Sequence, residues 1–337
     1  MKVLIDVTEE MYNRIKEVNK DSSLTNFILI AIENQISLEK EHLNEMVSFE
    51  KEIQKPPDKS KQKPHEPKEL QEPKEKIEIL NNPLKFEKIT SIPLKTPIKD
   101  YYIWGQYNKF FAMKFAVRYL AYMQIQNGAA PVKLTDFHHK CSRAASTMKQ
   151  ILKRSDEKSG RIWGEGFSTG LPENEEKSWS RFIHHFIGYA DSQGYQVGSI
   201  SDIGFIVIDA GNVSLSPHGL AFAKIKNPIL DDDPFSPILF SDEEQQFLIE
   251  HLKKYIPTEW KGIVSILKWI ESGINTPELL KARIATLDSK WTDKMANTYR
   301  TGMLARMYDL GFISRKRIGV NAHYSVTEYG KKMVRES

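Results

Sequence analysis

The triplet Gly-Phe-Ile occurs at residues 204–206 and again at 311–313, and each time it opens the same longer pattern. Residues 204–222 read GFIVIDAGNVSLSPHGLAF, and residues 311–333 read GFISRKRIGVNAHYSVTEYGKKM. Both continue as a strand, turn through a Gly/Asn pair and return as a second strand. Both then end in Ser, an apolar residue, Ser or Thr, two further residues and Gly, a strand running straight into a capped helical turn. A long stretch of helical periodicity precedes each hairpin. A chain carrying the pattern twice is constrained to use one domain type twice.

The rest of the chain is divided by its prolines. Pro56, Pro57, Pro64, Pro67, Pro73, Pro83, Pro93 and Pro97 are half of the 16 prolines, and they alternate with Lys and Glu. Proline removes ladder and helix donors, and the charge leaves too little apolar area to offset chain entropy, so residues 51–100 read as a linker. Its last third, IEILNNPLKFEKITSIPL, has enough Ile and Leu to lie on a neighbouring domain. With 337 residues the chain exceeds the roughly 250 that a single core supports. Apolar residues at 40% and charged residues at 27% suit a protein that needs no cross-links, and the single Cys141 forbids an internal disulfide. No run is long and apolar enough for a membrane helix. A cytoplasmic protein is expected. The net charge of +4 permits an anionic partner without demanding one.

Ahead of the linker, KVLIDV alternates Val3, Ile5 and Val7 against Lys2, Leu4 and Asp6, a strand with period two. Thr8 starts a helix bearing Met11, Ile15 and Val18, and Thr25 caps a second with Phe27, Ile28, Ile32 and Ile36. Strand, helix, turn and helix within residues 1–50 resemble the ribbon-helix-helix family. The resemblance implies an obligate homodimer through these residues and strand side chains facing the DNA major groove. Lys2 suits that role. Leu4 cannot bond a base edge and Asp6 repels phosphate, so dimerisation without DNA reading stays open.

Helices followed by a strand-turn-strand flap resemble the winged-helix domain, expected over 101–230 and over 231–337. The expected fold class is thus mainly α with small β-hairpins. In the second domain four helices are read before the hairpin, with a capping box at Ser241 and Glu244 and a helix start at Thr276-Pro277. The last helix sets Ala296, Tyr299, Met303, Met307 and Leu310 on one arc and Lys294, Asn297, Thr298 and Thr301 on the opposite one. Amide, hydroxyl and ammonium groups on one helix face can read base edges. In the resemblance this is the recognition helix, and the adjacent wing would bring Arg315, Lys316, Arg317, His323 and Lys331 to phosphates. Arg300 and Arg306, at the edge of the apolar arc, are expected to pair with Asp or Glu.

The first hairpin carries Asp209 and no cation in its turn, a poor phosphate contact. Arg143, Lys149, Lys153, Arg154, Arg161 or Arg181 could serve there, or that domain could dock a protein partner; both remain open. His138, His139, Cys141, His184 and His185 lack the paired spacing of a zinc site, GEGFSTG lacks the ending of a phosphate loop, and DDDP at 231–234 reads as a solvated hinge. No catalytic residue, metal or cofactor is assigned. The sequence points to double-stranded DNA as partner and to a homodimeric transcriptional regulator, with a plasmid or viral replication or partition initiator, or an interaction scaffold, as alternatives.

Overall fold

The computed structural model describes residues 84–161, 165–190, 196–318 and 321–336. Residues 1–50, with Lys2 and the expected dimer module, and the linker as far as residue 83 lie outside the described residues. What is described is mainly helical with small antiparallel sheets.

The first half runs α1 (Phe110–Gln126), β1 (Val132–Lys133), α2 (Leu134–Lys158), α3 (Glu176–Phe182) with a π-helical extension (Ile183–Ile187), β2 (Tyr189–Ala190), β3 (Gln196–Val197), α4 (Ser199–Asp202), β4 (Ile206–Asp209), β5 (Asn212–Leu215) and α5 (Pro217–Lys224). The second half runs α6 (Asp242–Tyr255), α7 (Pro257–Glu271), α8 (Pro277–Ile284), α9 (Asp293–Asp309), β6 (Ile313–Ile318), β7 (Asn321–Val326) and α10 (Glu328–Arg335). The two follow one plan. In the first, β1 between α1 and α2 pairs with β5 to give the antiparallel order β1-β5-β4. In the second, the stretch between α7 and α8 contributes a single bond, Asn275 O accepting from Tyr324 N at 2.9 Å, and β6 pairs with β7 from Ile313↔Val326 to Ile318↔Asn321.

The repeated letters of the sequence have a physical cause. Gly204 and Gly311 hold φ of +76° and +70°, a region that glycine enters at little cost. The Ser216 hydroxyl donates to Gly204 O at 2.6 Å and accepts from Gly219 N at 3.0 Å; the Thr327 hydroxyl donates to Gly311 O at 2.7 Å and accepts from Gly330 N at 3.0 Å. One side chain thus caps a helix and closes the hairpin. The Gly after the cap is required by space, since a Cβ at Gly219 would lie 1.9 Å from Phe205 O and one at Gly330 would lie 2.3 Å from Phe312 O.

The core is continuous through both halves. The α1 sequence FFAMKFAVRYLAYMQIQ is apolar on nearly every side and therefore buried, and its two interior cations take acids from farther along the chain. Lys114 pairs with Glu244 at 2.8 Å and donates to Phe222 O and Ile225 O at 2.6 and 2.7 Å. Arg118 donates to Asp231 at 2.9 Å, so Asp231 closes on α1 and is not the free hinge acid expected. The capping box on α6 forms as read, with Glu244 serving the cap and Lys114 together.

Residues 84–110 run across this body. Ile92 N donates to Leu215 O at 2.9 Å, and Leu84, Phe86, Ile89 and Ile98 pack on the core. Thr258 N and its hydroxyl both donate to Asp100, each at 2.8 Å. Segment 101–110 then passes between the halves. Arg306, fully buried, donates to Glu259 at 2.6 Å, to Tyr107 O at 2.9 Å and to Ile103 O at 3.1 Å, while Ile103 N donates to Glu259 at 3.0 Å. Lys109 pairs with Asp309 at 2.8 Å, and the same carboxylate accepts Phe110 N at 2.9 Å. Arg306 therefore pairs with an acid as its place in the sequence requires.

Candidate nucleic-acid interface

Thr292 caps α9 by accepting from Met295 N at 3.2 Å, and Lys281 of α8 pairs with Asp293 at 2.6 Å. These contacts fix the helix start and its rotation. Ala296, Met303 and Met307 are fully buried, which turns Lys294, Asn297 and Thr301 to solvent and leaves Thr298 half-buried. The four residues read as a recognition face thus share one side. The hydroxyls of Thr298 and Thr301 donate to Lys294 O at 3.1 Å and Asn297 O at 2.9 Å, so their lone pairs are what they offer outward.

This face has two edges. On one, Gly105 lies so close to α9 that a Cβ would come within 2.1 Å of Thr298 O, and Gly302 would meet Gly105 O at 2.3 Å. Half-buried aromatics thicken that edge: Trp291 stacks on Tyr299 at 3.9 Å between centroids, with Tyr102 and Trp104 edge-on at 5.0 and 5.3 Å. On the other edge stands the β6–β7 hairpin. Successive strand residues face opposite ways, and Ile313 is buried, so Arg315 and Arg317 share its inner side with Tyr324 and Val326. Lys316 and His323, directly opposite one another, take the outer side with Ile318, which is 63% exposed at the hairpin tip.

Arg315 and Arg300 are near enough to Tyr324 and to each other to interact electrostatically, which joins helix and hairpin at one charged spot that Glu165 and Glu278 also reach. Burial holds the Tyr324 hydroxyl above its ordinary range, against the opposing pull of Arg315 and Arg300. Arg300 Nε is buried with no hydrogen-bond acceptor among the described residues. Arg315 also lies 3.8 Å from Glu165, brought there by the Gly-rich loop of the first half. Sequence reasoning had no signal for that acid because nothing in the local pattern links residue 165 to residue 315.

Of the remaining candidates, Lys331 stands on α10, which packs on α7, and gives its ammonium to Glu328 at 2.6 Å. In the first half most of the cations read as alternatives are already engaged. Lys149 and Lys153 converge on Glu173 at 3.2 and 2.8 Å, Arg161 pairs with Asp156 at 2.8 Å, and Arg143 lies over the Trp179 ring at 5.6 Å. Arg181 is exposed. Asp209 at the first hairpin turn is neutralised by Lys95 at 2.6 Å. Among the described residues no group of three or more His, Cys, Asp or Glu could hold a metal ion, and no helix is long and apolar enough to cross a membrane. Comparison with protein-family models, with curated proteins and with solved structures finds no match to this chain.

Proposed function

We propose that the chain is a double-stranded DNA-binding protein, used as a homodimeric transcriptional regulator, in which α9 and the β6–β7 hairpin act as recognition helix and wing. The observation that carries the reading is the shared face of exposed Lys294, Asn297 and Thr301 with half-buried Thr298, bordered by a cationic hairpin that follows it directly in the chain. The order of helices and hairpin, with β1 of the first half answered by the single Asn275–Tyr324 bond of the second, supports a winged-helix assignment for both halves. Asn297 has the donor and acceptor pair that adenine presents in the major groove, and the threonine lone pairs can accept from base amino groups. Lys316 and Arg317 are exposed near the hairpin tip, where phosphates would be met, while Arg315 shares its charge with Glu165. Dimerisation rests on the sequence of residues 1–50.

The test is fluorescence anisotropy of the full chain on random-sequence duplex across salt concentrations from about 50 to 200 mM. Affinity should fall linearly on a log-log plot, and Lys316→Ala with Arg317→Ala should reduce the slope by about two, one for each lost phosphate contact. Absence of binding at the low-salt end would overturn the reading and favour the protein-docking scaffold.

A further inference from the structure

The first half carries a counterpart of the α9 face that its own fold disguises. Lys294, Asn297, Thr298 and Thr301 follow the spacing i, i+3, i+4, i+7; Lys177, Ser180, Arg181 and His184 follow the same spacing on α3 and its π-helical extension. Lys177, Ser180, Arg181 and His184 are exposed, while Phe182, Phe186 and Ile187 are buried on the inner side. The start of the element corresponds too, since Glu175 and Thr292 are the N-cap residues, each two positions ahead of the lysine and each followed by an acid, Glu176 or Asp293.

The ends correspond after one interruption. Asp202-Ile203-Gly204-Phe205-Ile206 matches Asp309-Leu310-Gly311-Phe312-Ile313. Lys177 stands 25 residues before Asp202 and Lys294 stands 15 before Asp309, and the difference of ten is the length of segment 189–198. That segment holds the β2–β3 ribbon, and it leaves and re-enters at one point: Gly188 and Gly198 approach so closely that a Cβ on Gly198 would lie 2.3 Å from Gly188 Cα. Such an approach admits only glycine. By this correspondence α3, its π-helical extension and α4 are the two parts of one helix equivalent to α9, opened by an inserted ribbon. Gln196 ties the ribbon down, donating to Ile208 O at 2.6 Å and accepting from Ser201 at 3.0 Å, and Tyr189 touches the His184 ring at 4.8 Å. Trp179 fixes the helix on α2 by donating to Ser146 Oγ at 2.6 Å.

We propose that Lys177, Ser180, Arg181 and His184 form a second duplex-DNA contact face, and that the chain therefore grips a bipartite site whose two parts have a fixed spacing. The inference rests on the DNA-binding reading of α9. The fixed spacing follows from the buried links between the halves, Arg306 with Glu259 and segment 101–110, Lys109 with Asp309, and Lys114 with Glu244. With the halves locked in this way, a change of DNA spacing would have to be met by distorting the duplex.

The experiment is hydroxyl-radical footprinting of the full chain on duplexes selected from a random library. Two protected patches are expected for each chain. Lys177→Ala with Arg181→Ala should erase one patch and lower the salt slope by about two, and Lys294→Ala with Asn297→Ala should erase the other. Inserting about 5 base pairs between the patches, half a helical turn, should weaken binding at least about tenfold. Arg181→Gln, a single change at an exposed position, gives the same reading if the double variant fails to fold. Footprints and slopes unchanged in the Lys177 and Arg181 variants, with the α9 variants still defective, would overturn the second face and leave the DNA-binding reading standing. Absence of any footprint would overturn both.

Discussion

Asp202 and Asp309 occupy the same place in the two halves, and both hold segment 101–110, Asp202 through the Tyr101 hydroxyl at 3.2 Å and through Tyr107, Asp309 through Lys109. Burial pushes Asp202 up to about 6 from its ordinary 3.8, with the tyrosine hydroxyls opposing. A few residues away in space, His251 bonds Ile203 O at 2.8 Å, and burial lowers it to about 4 from 6.5. The two act on stability with opposite signs. Folded Asp202 keeps a proton that the unfolded chain releases, so its contribution falls as pH rises from about 4 to 6. Folded His251 stays neutral where the unfolded chain takes up a proton, so its contribution is full above 6.5 and is lost as pH falls toward 4. Each amounts to about 3 kcal/mol, and in the parent protein they offset one another. Asp202→Asn removes one side only. Urea unfolding at pH 4 and pH 7 should show the stability difference between variant and parent moving by about 3 kcal/mol in favour of the variant at the higher pH. An equal difference at both would contradict the assignment. These acids were not legible in the sequence. The Gly-Phe-Ile repeat was, but the Asp two positions ahead of it has a role only once a distant segment lies against it.

At the scale of elements, the hairpin-and-cap unit was legible because its chemistry is local: a left-handed Gly, a capping hydroxyl and a Gly three residues on are all fixed by neighbours in the chain. The helices of the second half were legible for the same reason, through Ser241 with Glu244 and Thr276 with Pro277. The helix equivalent to α9 in the first half was legible only in its first part, through Ile187, because a ten-residue insertion, residues 189–198, breaks its period and returns the chain to the point it left. Losing a cap and the bond to the left-handed Gly should make Ser216→Ala and Thr327→Ala each cost about 1–2 kcal/mol. The sites belong to different halves, so the double variant should equal the sum within about 0.5 kcal/mol. Gly219→Ala should cost more than either, since the atom that its methyl meets at 1.9 Å is the backbone carbonyl of Phe205 and cannot turn aside. Denaturant titration of the four variants settles the ranking. A neutral Gly219→Ala would mean that the second strand and the helix after it are not held as described.

On the scale of the molecule, the deciding residues are charged and buried, a class that sequence patterning assigns to surfaces. Of Lys109, Lys114, Arg118 and Arg306, only Arg306 stood out in the sequence, at the edge of an apolar arc, yet each reaches an acid or carbonyl far along the chain. Their desolvation is tolerable only because the partners are complete, so removing one leaves an uncompensated charge inside. Arg306→Ala would strand Glu259, which is fully buried and also holds Ile103 N. The expected loss is about 3–5 kcal/mol. Because Arg306 grips the segment that both halves share, the loss should not stay in the second half. Amide hydrogen exchange under mild denaturant should show the β4–β5 and β6–β7 hairpins losing protection by the same free energy, as two parts of one cooperative unit. Were only β6–β7 to lose protection, the halves would open independently. The fixed spacing proposed for the two DNA contacts would then lose its mechanical basis, whatever footprint each face gave alone.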